Sequence, residues 1–141
     1  MRTTLNICLL IVRIAGLLQL VGGILFWAGY ALTYVPLHMA VGSILVLALW
    51  TIAAAAFMKQ TRRPFALFVF VWGPALAGFG VMQSRVLIGP NHWIIRLVHL
   101  LMGAIALGAG TALAKSLLAP APTTAPTSTL GRAAATASQS R

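Results

Sequence analysis

Two stretches of this chain place an imidazole where it could do chemistry. "RLVHLLMG", residues 96–103, sets His99 one turn after Arg96 and four residues before Gly103, and "VPLHMAVG", residues 35–42, sets His38 four residues before Gly42. On a helix, residues three and four apart share a face, so each histidine has a glycine beside it, and His99 also has a guanidinium one turn away. An imidazole, a flat apolar slot and a nearby cation are what a haem iron and its propionates require, and Arg forks match carboxylate geometry. The remaining chemistry is narrowed by composition. The 141 residues include ten Lys or Arg and three His but no Asp or Glu. That removes general acid/base carboxylate pairs, carboxylate-held magnesium and the acid that orients a catalytic histidine, so an enzyme acting as an isolated chain is not expected. With Cys8 as the sole cysteine, neither a disulfide framework nor a Cys/His zinc set is available, and Cys8 reads as a small packing residue.

The elements that must carry these side chains follow from hydropathy. With 60% hydrophobic residues and 7% charged, the chain does not fit a soluble domain, whose surface needs both signs of charge. Four apolar segments at about 5–27, 32–58, 65–84 and 93–114 have the roughly 20 residues that span a hydrocarbon core. Short connectors make consecutive helices antiparallel, and the predicted fold is an all-α integral membrane protein: an up-down four-transmembrane-helix bundle over residues 1–118. Arg2, Lys59, Arg62, Arg63 and Lys115 fall on one side, against Arg85 and Arg96 on the other. Cytoplasmic loops carry the excess of basic residues, which places both termini in the cytoplasm, in a bacterial inner membrane. The first segment has Arg13 within it and no small-residue cleavage pattern after Trp27, so it reads as a retained helix rather than a signal peptide. The charges sit at membrane edges, not on a basic stripe, and their expected contact is anionic lipid rather than nucleic acid. From 119 to 141 the composition turns to Ala, Pro, Thr and Ser and predicts a disordered tail.

A weak internal repeat supports the pairing of the histidines. A shift of 61 residues lays His38 on His99 and Gly42 on Gly103, while Gln19 and Gln83 correspond at a shift of 64. Both halves are hairpins of the same orientation, unlike the inverted repeats of many transporters. Each histidine lies about 10 Å below the outer edge at 1.5 Å per residue, and helices 2 and 4 are diagonal in a square bundle. His99, Gly103, Leu107 and Gly110 share one face; His38, Gly42 and Leu45 share another. Arg96 lies nearer the outer edge than His99, and Arg85 ends helix 3 at that edge. His92 and Tyr34 lie close by, where aromatic belts also form. Pro36 falls in the first turns of helix 2, where it is tolerated, and "WGP" at 72–74 predicts a kink in helix 3. The glycines read as close-approach positions between helices.

The arrangement resembles the small b-type membrane cytochromes, namely the cytochrome b561-like group and the haem-anchoring subunits of respiratory enzymes. The resemblance covers roughly residues 5–114 and is carried by His38, His99, Gly42, Gly103, Arg85 and Arg96. It implies one haem b with His38 and His99 as axial ligands, the arginines near its propionates, electron transfer, a quinone nearby and other membrane subunits as partners. The residues themselves leave alternatives open. The histidines also suit interhelical hydrogen bonding in an accessory or assembly subunit without a cofactor, and they suit another flat ligand such as a chlorophyll or quinone. A transporter would need a polar pathway, and Gln19, Gln83, Ser43 and Ser84 supply a sparse one without any intramembrane carboxylate. Arg13, near a helix centre, costs about 2.5–3.5 kcal/mol on insertion scales, and no acid in the chain can pair with it. It either snorkels to lipid phosphate or meets a counter-charge on a partner.

Overall fold

A computed structural model describes residues 1–120. Their order is α1 (Arg2–Trp27), a 3-10 turn (Leu32–Tyr34), α2 (Val35–Met58), α3 (Arg63–Met82), a second 3-10 turn (Gln83–Arg85) and α4 (His92–Leu118). No strand occurs among the described residues, and all four helices are long and apolar enough to cross a membrane. The tail expected from 119 lies, from 121 onward, outside the described residues.

The ends of the helices differ from the hydropathy limits for local reasons. α1 begins at Arg2, three residues ahead of the segment expected from 5, and Leu5, 1% exposed, ties its first turn into the bundle. α4 runs past the expected end at 114: Ser116 Oγ donates to Leu113 O at 2.7 Å, Leu117 is buried, and the helix continues to Leu118. Pro120 follows, and a proline just past a helix end is a frequent stop. α1 ends in a Schellman motif: Tyr30 N–H donates to Leu25 O and Gly29 N–H to Phe26 O, with Gly29 at φ +83°. α2 ends the same way through Thr61 to Ala56 O and Gln60 to Phe57 O, but Gln60 takes the left-handed conformation, at φ +52°, that glycine usually fills. Pro36 and Pro64 occupy first-turn positions of α2 and α3, where no partner for their missing N–H is needed.

Each helix packs on its sequence neighbours and α1 packs on α4, which closes the ring; α2 and α4 approach each other across the centre more closely than α1 and α3. α3 continues through Pro74. Proline leaves the carbonyl four residues earlier without its helical donor, and that carbonyl, Phe70 O, accepts the Trp50 indole N–H from α2 at 2.9 Å. Trp72 Nε1 makes a similar cross-helix bond to Met102 O on α4 at 3.0 Å.

Packing is uneven along the bundle. The fully buried side chains Leu5 and Val12 of α1, Leu49 and Ile52 of α2, Val69 of α3 and Leu113 of α4 all belong to the end of the bundle that holds the start of α1 and the end of α4. On α1 burial stops at Gly16, on α2 it begins at Leu45, on α3 it stops at Leu76 and on α4 it begins at Ala106. At the border, Gly16 lies under Leu107 and Gly110 under Leu49, so larger residues there would push the helices apart. Beyond that border the helices enclose space.

The cations that have partners find them on helix C-termini. Arg2 Nη2 donates to Leu118 O at 3.4 Å and Lys59 Nζ to Leu117 O at 3.0 Å, both at the end of α4. Arg96 Nη1 donates to Trp27 O, at the end of α1, at 3.5 Å. In a chain without acids, the unpaired carbonyls and negative dipole end of a helix are the available counter-charge.

Candidate functional site

The loosely packed half of the bundle encloses a cavity of about 360 Å³, within the size range of small-molecule and cofactor sites. Every helix contributes to its wall. α2 supplies His38, Gly42, Ser43 and Leu45; α4 supplies His92, Arg96, His99 and Gly103; α1 supplies Gly16, Gln19, Gly23 and Phe26; α3 and its 3-10 turn supply Leu76, Gly80, Gln83 and Ser84. The phase of α2 and α4, which apolar composition on all sides leaves open, is therefore settled: both histidines face the same space.

The neighbours of the two rings are specific. His38 packs edge-on against Phe26, with centroids 5.1 Å apart and planes at 70°, and its Nδ1 lies 3.1 Å from where a Cβ on Gly22 would be. His99 stacks nearly parallel to Phe79 at 6.1 Å, and a Cβ on Gly80 would fall 2.8 Å from its Cε1. Thus the glycines that admit the imidazoles are Gly22 of α1 and Gly80 of α3, on facing helices. Gly42 and Gly103, one turn along from the histidines, serve other neighbours: the Gln19 amide nitrogen lies 2.6 Å from the Cβ position of Gly42, and Leu20 lies 3.7 Å from that of Gly103. The room beside Gly42 is taken by Gln19, which narrows the slot that the spacing within α2 suggested.

Among the described residues neither imidazole is held by a hydrogen bond. His99 Nδ1 is buried with no partner among the described residues. The cross-helix side-chain bonds that do form run from the indoles of Trp50 and Trp72 and from cations at helix ends. Ser43, though on the wall, donates back to Met39 O of its own helix at 3.0 Å. A buried nitrogen without a partner costs about 1–3 kcal/mol, so the site carries an unmet polar demand.

At the rim, Arg96 is exposed and anchored to the α1 terminus while also lining the cavity, and His92 donates from Nδ1 to Val86 O at 3.3 Å. Arg85 is exposed on the 3-10 turn after α3 and does not line the cavity, so the structure brings together His38, His99, Gly42, Gly103 and Arg96 but leaves Arg85 outside. Tyr34 belongs to a separate groove between α1 and α2 that reaches His38 from the outer surface. Sequence spacing within one helix could not reveal Gly22, Gly80, Phe26 and Phe79, because their contacts with the histidines cross between helices. The one hint was the "GFG" at 78–80, a pair of glycines around an aromatic on α3.

Among the described residues no group of three or more His, Cys, Asp or Glu could hold a bare metal ion. A haem asks less of the protein, one or two axial nitrogens, apolar walls and a cation. The wall presents two imidazoles, a largely apolar lining and Arg96, and the donor set fits that group. Comparison of the chain with family models, with curated proteins and with solved structures finds no match in any of the three.

Proposed function

We propose that this chain is an integral membrane protein that holds a b-type haem between α2 and α4 and serves as an electron-transfer subunit of a larger membrane assembly. The observation that carries the reading is that His38 and His99, from different helices, line one cavity and that neither is engaged in a hydrogen bond among the described residues. Interhelical hydrogen bonding would give such histidines partners, as the two tryptophans have. In this reading His38 and His99 would hold the haem iron, Gly22 and Gly80 admit their rings, and Arg96 would meet the propionate carboxylates. When bound, haem supplies a one-electron iron couple tuned by its axial ligands and by the apolar walls. Gln19 and Gln83, on the same wall, hold polar groups toward that space, and a quinone is the membrane-soluble electron partner the reading calls for.

The same proposal sets the four helices across a bacterial inner membrane in up-down order, with both termini cytoplasmic. Its support is the clustering of Arg2, Lys59, Arg62, Arg63 and Lys115 toward one end of the bundle. A second reading, an accessory or assembly subunit without cofactor, draws support from the close seating of the two rings on Gly22 and Gly80. There the imidazoles are packing groups.

The test is the absorption spectrum of protein purified in mild detergent, oxidised and then reduced with dithionite. The haem reading expects a Soret band and sharp reduced α and β bands, lost in His38→Ala and in His99→Ala with the helical circular dichroism unchanged. A preparation that stays colourless after haem supplementation refutes it and leaves the accessory reading.

A further inference from the structure

The outward face of α1 combines an apolar seam with an unpaired charge. Ile7, Leu10, Ile14, Leu17, Val21 and Ile24 are all between 48 and 59% exposed and lie diametrically opposite the packed face that holds Leu5, Cys8, Val12 and Ala15. Their spacing alternates three and four residues, a heptad pattern. Ile7, Ile14 and Val21 fall at the a positions and Leu10, Leu17 and Ile24 at the d positions. β-branched residues at a with leucine at d favour packing against a single parallel helix. On this stripe sits Arg13, exposed, at a g position and near the midpoint of the 26-residue helix. A charge at that depth is costly and marks a site where a partner is needed. Arg2, Lys59 and Arg96 each reach a helix-terminal carbonyl, whereas no acceptor lies on Arg13 among the described residues.

We infer that this face of α1 docks one transmembrane helix of a different protein, and that the partner helix carries a carboxylate, Asp or Glu, level with Arg13. In parallel heptad packing a g residue faces an e residue of the other helix, which is where that acid belongs. A second copy of this chain cannot supply it: the sequence has no Asp or Glu, and the residues at e around Arg13 are Ile11 and Leu18. The seam is also free of glycine, so it is built for knob-and-hole contact rather than the close backbone approach of small-residue dimers. This inference is independent of any cofactor in the cavity.

The experiment uses the full chain, donor-labelled, in phosphatidylcholine vesicles at mildly alkaline pH. The probe is an acceptor-labelled single-span helix with Ile at a, Leu at d and one Glu at the e position level with Arg13; its controls carry Gln or Leu there. Energy transfer should report association about three- to thirty-fold tighter for the Glu helix than for the Leu helix, the range of interhelical polar contacts in membranes. The preference should vanish in Arg13→Leu, persist in part in Arg13→Lys, and weaken in Leu17→Ala but not in Leu47→Ala, an equally exposed leucine on α2. Equal binding of the Glu and Leu helices would overturn the inference. So would a preference that survives Arg13→Leu, self-association of the chain through Leu17, or an Arg13 effect seen only when phosphatidylglycerol is added, which would make lipid phosphate the counter-charge.

Discussion

Replacing Gly80 by alanine probes the seat of His99 with a single methyl group. A Cβ there would lie 2.8 Å from Cε1, 3.4 Å from Nε2 and 3.6 Å from Nδ1 of the His99 ring, so the ring must recede by about 0.6 Å to reach ordinary contact at 3.4 Å. It cannot do so freely, because Phe79 stacks on it at an 11° interplanar angle. Overpacking of this kind costs about 1–3 kcal/mol. Against it stands the gain from replacing glycine in a helix interior, about 0.5–1 kcal/mol. The net expectation is a loss of roughly 1 kcal/mol. Gly78, one half-turn earlier on the same helix, has nothing within 4 Å of its Cβ position. Gly78→Ala should therefore show only the gain, and the two variants should differ by about 1–3 kcal/mol. The assay is equilibrium unfolding from mild detergent into dodecyl sulfate, followed by far-ultraviolet circular dichroism. In a His99→Ala background the ring is gone, and the penalty of Gly80→Ala should disappear, a coupling of the same size in a double-mutant cycle. If Gly80→Ala matches Gly78→Ala, or if its penalty is unchanged without the imidazole, His99 does not rest on Gly80 and the description of the site is wrong. In a preparation that binds haem, Gly80→Ala should also alter the Soret band where Gly78→Ala does not.

Other expectations concern the scaffold. Trp50→Phe keeps the ring that stacks on Phe70 but leaves Phe70 O without its donor, and should cost about 1–3 kcal/mol in the same unfolding assay; adding Pro74→Ala, which restores a helical N–H to that carbonyl, should return most of it. Gly110→Ala sets a methyl onto Leu49, which is 1% exposed and has no room to move, and should lower stability by about 1–3 kcal/mol with loss of the α2–α4 approach in cross-linking. Gln60→Gly should raise stability by about 0.5–1 kcal/mol, because Gln60 holds φ +52° at the end of α2; an unchanged unfolding midpoint would count against the left-handed turn. Lys59→Gln removes the charge on Leu117 O and should cost about 0.3–1 kcal/mol, an effect that shrinks with added salt.

The sequence alone determined the class of this protein: 60% hydrophobic residues in four long runs, with connectors too short for anything but neighbouring helices, leave a helical bundle that can cross a membrane. It also marked His38 and His99, since polar groups stand out against so apolar a background, and the 61-residue shift paired them. The helix ends were read less closely: α1 starts three residues before 5, and α4 runs four residues past 114, where buried Leu117 holds its last turn through tertiary contact rather than local hydropathy. What only the tertiary structure decided is rotational. Helices that are apolar all round carry no periodic signal of which side faces in, so only packing could show that both imidazoles line one cavity, that Arg85 stands outside it, and that Gln19 fills the space beside Gly42. The same limit hid the Phe70 carbonyl, which Pro74 leaves without a helical donor, and its Trp50 partner, which are distant in sequence and meet only across helices. Residue types and spacing along one helix are local properties; the contacts that give His99 its glycine seat and leave its Nδ1 unpaired belong to the assembled bundle.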